Sequence, residues 1–292
     1  MGLFLVLAAV ILGVPLFSTV QYLRVNARAG QLPRVRELCG GRLLVPVLRA
    51  FLNTIWSIAL AVLAYPLGWL PQAPLSAPRS GGPGGLPPVL LPPIILVHGL
   101  YHNASAWLLF RRRLARAGFA DVRAYAYPSF FRPFEAIAGG LVDTALRAAA
   151  ASPTGRVLLV GHSLGGLVIR AACAHPGLSG RVAGVVTLGT PHQGSALAGL
   201  AAVGRLGRGL APGGCVLDRL DALPVAAVSA LSLYTPTDGM VLPLSGSLLE
   251  EREKAAGWTE VCLPPLSHVG LLYDRAAAGR SVAFLLEAAG RG

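Results

Sequence analysis

The fold of this chain is decided by residues 157–166, which read Val157-Leu158-Leu159-Val160-Gly161-His162-Ser163-Leu164-Gly165-Gly166. The four leading apolar residues predict a buried strand, and the apolar residues 167–172 predict a helix directly behind the turn. Between them lies G-x-S-x-G, a pattern that places a serine on a sharp turn from strand to helix. Glycine is needed at 161 and 165 because a Cβ there would meet the neighbouring strand or helix. We therefore expect Ser163 to present its hydroxyl above the carboxyl end of a parallel sheet.

Strand and helix patterns alternate on both sides of this turn. The predicted strands are residues 93–97, 122–127, 156–161, 182–188, 226–234 and 259–263. The predicted helices between and after them include residues 104–117, 134–151, 164–172 and 276–289. Such alternation predicts an α/β fold, with a mostly parallel sheet and helices on both faces.

A serine hydroxyl becomes a nucleophile only when a base takes its proton, and an acid commonly orients that base. His268 follows the last predicted strand and precedes the last helix, where the base lies when the chain order is serine, acid, histidine. Asp238 follows the strand 226–234, so we predict it to be the orienting acid. The other histidines are interpreted as wall or loop residues: His98, His102, His162, His175 and His192. The other acids after Ser163 are interpreted as solvent-exposed: Asp218, Asp221, Glu250 and Glu251.

Acyl transfer also needs two N–H donors for the negative oxygen of the tetrahedral intermediate. Leu164 follows the serine at a helix N-terminus and supplies the first. The second is expected from the loop after His98-Gly99, with Leu100 as first choice and Tyr101 as second. The cysteines show no metal-ligand spacing, and we expect neither a metal nor a cofactor.

Composition indicates a membrane association. The chain has 292 residues, 54% of them hydrophobic and 13% charged, and a mean hydropathy of +0.61. Its net charge of +12 comes almost wholly from arginine, but the arginines are scattered and not interleaved with aromatic residues. This distribution argues against nucleic-acid binding.

Two uncharged stretches precede the α/β region. Residues 2–20 form the first and residues 50–69 the second, with an arginine-rich connection between them. Each is long enough to cross a bilayer, so we predict a two-helix transmembrane hairpin over residues 1–70. The positive-inside rule then puts the connection in the cytoplasm and the rest of the chain on the non-cytoplasmic side of the cell inner membrane.

Two alternatives to this hairpin remain. Ala27-Arg28-Ala29 resembles a cleavage site, so a removed signal peptide is possible, although the charges follow the apolar core rather than precede it. Two helices buried in a soluble core are disfavoured because the runs lack a polar stripe. Residues 71–88 contain six prolines and four glycines and predict an exposed linker to a catalytic domain over residues 89–292.

From about Leu90 onward the chain resembles α/β-hydrolases, and more narrowly bacterial triacylglycerol lipases. The resemblance rests on four features: His98-Gly99, the serine turn, the segment Gly189-Thr190-Pro191-His192-Gln193-Gly194-Ser195, and the contexts of Asp238 and His268. It implies an α/β-hydrolase fold and hydrolysis of carboxylic esters. It also implies that residues 196–210 form a lid over an acyl-chain groove; a surface helix packed on the core is an equal alternative.

Two details of the resemblance concern metal and disulfide chemistry. Secreted lipases of this kind carry a calcium-ligand aspartate two residues after the histidine, and Gly270 stands there, so we expect no structural calcium. Cys215 and Cys262 bracket Asp238, much as one disulfide in that family does; two free thiols are the alternative.

These features together predict a membrane-anchored serine hydrolase acting on lipid or small-molecule esters. An acyltransferase or a thioesterase would use the same three residues with another acceptor or leaving group. A non-catalytic binding module of the same fold is a further alternative, disfavoured because all three residues are present.

Overall fold

The computed structural model describes residues 9–70 and 91–290. Within them the strands form one sheet of six, in the order β2-β1-β3-β4-β5-β6. Every neighbouring pair is parallel. The strands are β1 (Ile94–Val97), β2 (Val122–Tyr125), β3 (Val157–His162), β4 (Val182–Leu188), β5 (Ala230–Tyr234) and β6 (Trp258–Cys262). The predicted parallel α/β architecture is confirmed.

Helices cover both faces of this sheet. The α-helices of the described residues are α1 (Val14–Arg28), α2 (Leu32–Leu38), α3 (Leu44–Ala64), α4 (Leu108–Arg116), α5 (Phe134–Ala151), α6 (Leu164–Cys173), α7 (Ala196–Ala201), α8 (Gly204–Arg208), α9 (Cys215–Asp221), α10 (Glu251–Ala255) and α11 (Arg275–Gly290). Side chains on a strand alternate between faces. Ile95 and Leu159 therefore pack with α5 and α6, whereas Leu96 and Leu158 pack with α4 and α11.

The turn between β3 and α6 has the geometry that its glycines predict. Ser163 has φ 55° and ψ −124°, a conformation unusual for any residue but glycine. A Cβ at Gly161 would lie 2.6 Å from the amide nitrogen of Gly166, and one at Gly165 would overlap the carbonyl oxygen of Val97. Close packing of strand, turn and helix therefore holds the serine at the carboxyl edge of the sheet.

We expect Gly165→Ala to lower the free energy of unfolding by ~3 kcal/mol or more, because backbone atoms cannot move away from the added methyl group. Gly139 on α5 is the matched control, since a Cβ there has no neighbour within 4 Å. Gly139→Ala should raise stability by about 0.4–1 kcal/mol. Denaturant unfolding of both variants measures the difference, and equal stabilities would contradict this packing.

The N-terminal region is helical from Ala9 to Leu38 and again from Leu44 to Trp69, apart from short turns. In the part of the chain that the structure describes, one helix, Leu44–Trp69, is long and apolar enough to cross a membrane, with a mean hydropathy of 1.8. Residues 2–8 of the predicted first span, 2–20, lie outside the described residues, as does the predicted linker 71–88. The two-helix transmembrane hairpin is therefore not confirmed.

These N-terminal helices pack against the sheet-containing domain. Ser18, Tyr22 and Asn26, spaced four residues apart on α1, are buried. The Tyr22 hydroxyl donates to the carbonyl of Pro236 at 2.8 Å, and Asn26 Oδ1 accepts from the amide of Leu244 at 2.9 Å. The helices thus carry a polar stripe, which the sequence reasoning did not anticipate, and it faces the domain.

All four cysteines are free thiols: Cys39, Cys173, Cys215 and Cys262. Of the two alternatives for Cys215 and Cys262, the structure therefore has the unpaired thiols.

Candidate active site

The backbone around Ser163 is fixed from two neighbouring elements. Its amide donates to the carbonyl of Leu188 at the end of β4, at 2.9 Å. Its carbonyl accepts from the Thr190 hydroxyl at 3.2 Å and from the Gly166 amide at 3.0 Å. The side chain opens into a cavity that His268 also lines. The strained turn is thus braced while its hydroxyl stays accessible.

Asp238 and His268 are hydrogen-bonded to each other, and both side chains are buried. His268 Nδ1 donates to Asp238 Oδ2 at 2.7 Å. The other carboxylate oxygen, Oδ1, accepts from the amides of Met240 at 2.7 Å and Val241 at 2.9 Å. A carboxylate held in this way fixes the tautomer with hydrogen on Nδ1 and leaves Nε2 as the basic nitrogen. The acid and the base predicted from the sequence are brought together.

The loops that carry these two residues are tied to each other. The Thr237 hydroxyl donates to the carbonyl of Leu266 at 2.9 Å, and the Leu266 amide donates to the Thr235 hydroxyl at 2.9 Å. Ser195, the last residue of the 189–195 segment, donates to the carbonyl of Met240 at 2.7 Å and accepts from the Leu242 amide at 3.0 Å. The 189–195 segment therefore helps to fix the loop that carries Asp238.

The two predicted oxyanion donors, Leu164 and Leu100, lie on segments next to the serine. Leu164 is the first residue of α6, so its N–H lies at a helix N-terminus. Leu100 lines the cavity and follows Gly99, at which a Cβ would lie 3.0 Å from the Cβ of Ser163. The Tyr101 amide, the second choice, donates to the Ser129 hydroxyl at 2.9 Å. The geometry therefore favours Leu100 over Tyr101.

Several histidines have structural roles that the sequence did not disclose. The fully buried His98 donates from Nδ1 to the carbonyl of Gly99 at 2.9 Å and accepts at Nε2 from the amide of Tyr127 at 3.2 Å. His162 donates from Nε2 to the carbonyl of His268 at 3.1 Å. The Nε2 atom of the buried His192 lies 3.0 Å from the hydroxyl of Ser232. These rings stabilise the loops around the site.

Burial also lowers the pKa values of two histidines in the loop after β1. It lowers the pKa of His98 to about 4, with a small opposing effect of the Gly99 carbonyl. Burial lowers the pKa of His102 to about 4 as well, helped by repulsion from His98 and His268. Both rings are therefore neutral at neutral pH and add no positive charge near His268.

We expect the free energy of unfolding to fall as the pH is lowered from about 6.5 to 4. The unfolded chain takes up protons at His98 and His102 near pH 6.5, whereas the folded chain does so only near pH 4. Each group can contribute up to about 1.4 kcal/mol per pH unit over this window. Denaturant unfolding at several pH values measures the slope. His98→Gln should reduce it, and the exposed His175 offers His175→Gln as the control; equal slopes in both would contradict this origin.

The cavity above the serine has a volume of about 530 Å³ and is lined mainly by apolar side chains. Leu197, Ala198 and Ala201 of α7 form one wall of it. Farther along the same segment, Leu206 and Leu210 are buried in the core. Residues 196–210 thus line the cavity and also pack on the core, whereas a lid formed by this segment stays a prediction.

Gly270 sits against helix α3. A Cβ there would overlap Asn53 Oδ1 and lie 2.7 Å from Ser267 Oγ, so a larger side chain at this position requires these two side chains to move. Among the described residues, no group of three or more histidine, cysteine, aspartate or glutamate side chains could hold a metal ion.

Comparison with known proteins identifies relatives of this arrangement. Residues 94–288 match the model of the alpha/beta hydrolase family. By sequence, no curated protein matches the chain.

Solved structures with similar folds include two lipases. Lipase B of Aspergillus fumigatus is 19% identical over 76% of this chain, with a TM-score of 0.59, and the match covers 65% of the fungal chain. The mature lipase BlEst2 of Bacillus licheniformis is 21% identical over 70% of this chain and 96% of its own, with a TM-score of 0.56. This chain thus spans just under two thirds of the fungal enzyme. At sequence identities of 19% and 21%, these similarities establish a shared fold and nothing more.

Proposed function

Because the chain belongs to the alpha/beta hydrolase family, we propose that it is a serine hydrolase that cleaves carboxylic esters. Ser163 is the nucleophile, His268 the general base and Asp238 the residue that orients the base. One observation carries the proposal: the His268–Asp238 hydrogen bond lies beside a serine held on a strained turn, with serine and histidine in one cavity.

The reaction follows from the positions of these groups. The hydroxyl oxygen of Ser163 attacks the ester carbonyl carbon while His268 Nε2 takes the hydroxyl proton. The carbonyl oxygen becomes negative and is stabilised by the amides of Leu164 and Leu100. Collapse of this intermediate expels the alcohol, which receives the proton from His268. A water molecule, deprotonated by the same nitrogen, then releases the acid and restores the serine.

The preferred substrates in this proposal are lipid esters, such as acylglycerols. An apolar cavity of this size suits a hydrocarbon chain better than a polar acyl group. The two lipases with a similar fold support the same choice by analogy. The helix Leu44–Trp69 supports attachment to a membrane, for which we propose the cell inner membrane. If the N-terminal hairpin crossed that membrane, the catalytic domain would lie on the non-cytoplasmic side.

Hydrolysis of p-nitrophenyl esters with short and long acyl chains, by the full-length protein in detergent, tests this function. We expect kcat/KM to rise from acetate toward long acyl chains, because added methylene groups bury apolar surface in the cavity. Activity restricted to acetate and butyrate would contradict the lipid substrate and leave a general esterase. Absence of turnover, together with absence of labelling by a fluorophosphonate probe, would contradict the mechanism and favour a binding module.

An acyltransferase or thioesterase would label with the same probe. Adding an alcohol acceptor, or replacing the ester by a thioester of the same acyl chain, distinguishes these alternatives. For the hydrolase we expect free acid to remain the main product in the presence of the acceptor and the oxygen ester to be cleaved.

A further inference from the structure

We propose that helices α1 and α3 lie flat in the interface of one membrane leaflet and that the cavity opens toward this leaflet between them. A lipid ester then enters sideways from the bilayer. The direction of entry rests on the function proposed above, whereas the position of the helices does not. This arrangement differs from a hairpin that crosses the bilayer.

The inner face of α3 is bonded to the loop that carries His268. Asn53 Oδ1 accepts from the amide of Ser267 at 3.0 Å and from its hydroxyl at 2.7 Å. One turn later, the hydroxyl of Ser57 lies 3.2 Å from that of Ser267. Together with Tyr22 and Asn26 on α1, these residues connect both helices to the loops of Asp238 and His268. These four polar side chains are therefore used inside the protein.

These contacts fall at the centre of the apolar helix. Leu44–Trp69 has 26 residues, and Asn53 and Trp56 lie close to its midpoint. A helix of this length spans roughly 40 Å, so crossing a bilayer would place both residues near the middle of the hydrocarbon. The loop bonded to them would have to lie at the same depth.

Charged residues lie next to that contact. The ring of Trp56 meets the ring of Tyr273 edge to face, with centroids 5.8 Å apart. Arg113 donates to the carbonyl of Tyr273 at 2.8 Å and to that of Asp274 at 2.5 Å. A crossing helix would carry these charged side chains toward the bilayer centre, which is costly. A flat helix leaves them on the aqueous side of the protein.

The outer faces are apolar at helical spacing. Leu12, in the helical turn Ala9–Gly13 before α1, is exposed, as are Leu16, Val20 and Leu23 on α1. Leu44, Leu48, Leu52, Trp56 and Leu63 are exposed along α3. These two sets, which we call the outer stripes, repeat mainly every four residues and so lie on one side of each helix. A long apolar stripe on one side, with polar groups on the other, is typical of a helix in the membrane interface.

The connection between the helices is strongly basic. The exposed arginines are Arg34, Arg36 and Arg42 in the connection, with Arg24 and Arg28 at the end of α1 and Arg49 near the start of α3; Glu37 is the acidic residue among them. Arginines next to an interfacial helix attract anionic lipid headgroups. For flat helices, the connection and the catalytic domain lie on the same side of the membrane.

Both helices also line the cavity. Val14 and Phe17 of α1, and Ile58, Ala61 and Val62 of α3, face the space that reaches Ser163. Val14 and Phe17 are partly exposed as well. The wall of the substrate site is therefore continuous with the surface that carries the outer stripes, and an acyl chain can pass from leaflet to serine without crossing water.

The depth of Trp56 tests the orientation directly. In a Trp69→Phe variant of the full chain, Trp56 is the exposed tryptophan among the described residues, since Trp107 and Trp258 are buried. Quenching in phosphatidylcholine–phosphatidylglycerol vesicles by lipids brominated at different depths reports its position. We expect the strongest quenching by bromines near the headgroups. Strongest quenching by bromines at the chain ends, deep in the bilayer, would overturn the proposal.

A second test uses the outer stripe and separates this proposal from the proposed function. Leu48→Gln/Leu52→Gln should weaken partition into these vesicles about tenfold or more, while hydrolysis of dissolved p-nitrophenyl butyrate changes less than about twofold. Leu286→Gln, an exposed leucine on α11, is the matched control and should leave partition unchanged. Equal partition of both variants would overturn the proposal. An inactive protein that still shows these partition and quenching results would contradict the function alone.

Discussion

Replacing Ser163 by alanine is expected to lower kcat for p-nitrophenyl butyrate by a factor of roughly 10⁴ or more. Without the hydroxyl, no acyl-enzyme can form, and what remains is water attack assisted by the oxyanion donors. Folding should be preserved, because the strained backbone at Ser163 is held by backbone and Thr190 contacts that do not involve its hydroxyl. Fluorophosphonate labelling should disappear together with the activity.

Ser179→Ala supplies the control for this experiment. Ser179 is exposed on the turn before β4, at the edge of the sheet opposite to the carboxyl ends that carry the site, and its loss should leave kcat unchanged. Retention of more than about a tenth of the activity in Ser163→Ala, with normal folding, would be incompatible with a serine nucleophile at this position.

The second large effect concerns the carboxylate. Asp238→Asn should lower kcat by about 10³- to 10⁴-fold. The amide oxygen of the new side chain can still accept from Met240 and Val241, so its NH₂ group then faces His268 Nδ1. That nitrogen must become the acceptor, the hydrogen moves to Nε2, and the ring can no longer take the serine proton.

Asp218→Asn is the matched control. Asp218 is an exposed acid on α9, and it precedes β5, the strand that Asp238 follows. Its kcat should equal that of the wild type. Steady-state kinetics with p-nitrophenyl butyrate, together with thermal unfolding of both variants, separates a changed tautomer from a lost fold. Similar losses in the two variants would mean that Asp238 does not orient the base.

Local patterns were sufficient for the sheet and for the positions of the three candidate residues. The serine turn is a short-range feature, since its strand, glycines and helix are contiguous. Asp238 and His268 follow strands of a parallel sheet, and the carboxyl ends of such strands meet at one edge. The strands that precede these two residues, β5 and β6, are parallel neighbours. The sheet topology therefore brings the two side chains together, with 2.7 Å between His268 Nδ1 and Asp238 Oδ2.

The role of the N-terminal helices could not be predicted in this way. Mean hydropathy is averaged over a window of residues, so the polar Asn53 and Ser57 hardly lower the value for the apolar helix that contains them. Their partner Ser267 is more than 200 residues away along the chain, and nothing local indicates that contact. The low pKa of His98 is equally hidden, because it depends on complete burial rather than on neighbours in sequence.

Contacts between the first helices and the last loops also impose an order on biosynthesis. Tyr22 binds Pro236 across 214 residues, and Asn26 binds Leu244 across 218. A ribosome that adds 5–20 residues per second needs roughly 10–40 s to supply these partners. During that interval the polar face of the helices lacks the loops to which it binds in the folded protein. Their apolar outer face is exposed to water unless a membrane is close by. If the helices bind the membrane interface as proposed above, delivery of the nascent chain to a membrane before its last strands are made shortens the time in which these helices can aggregate.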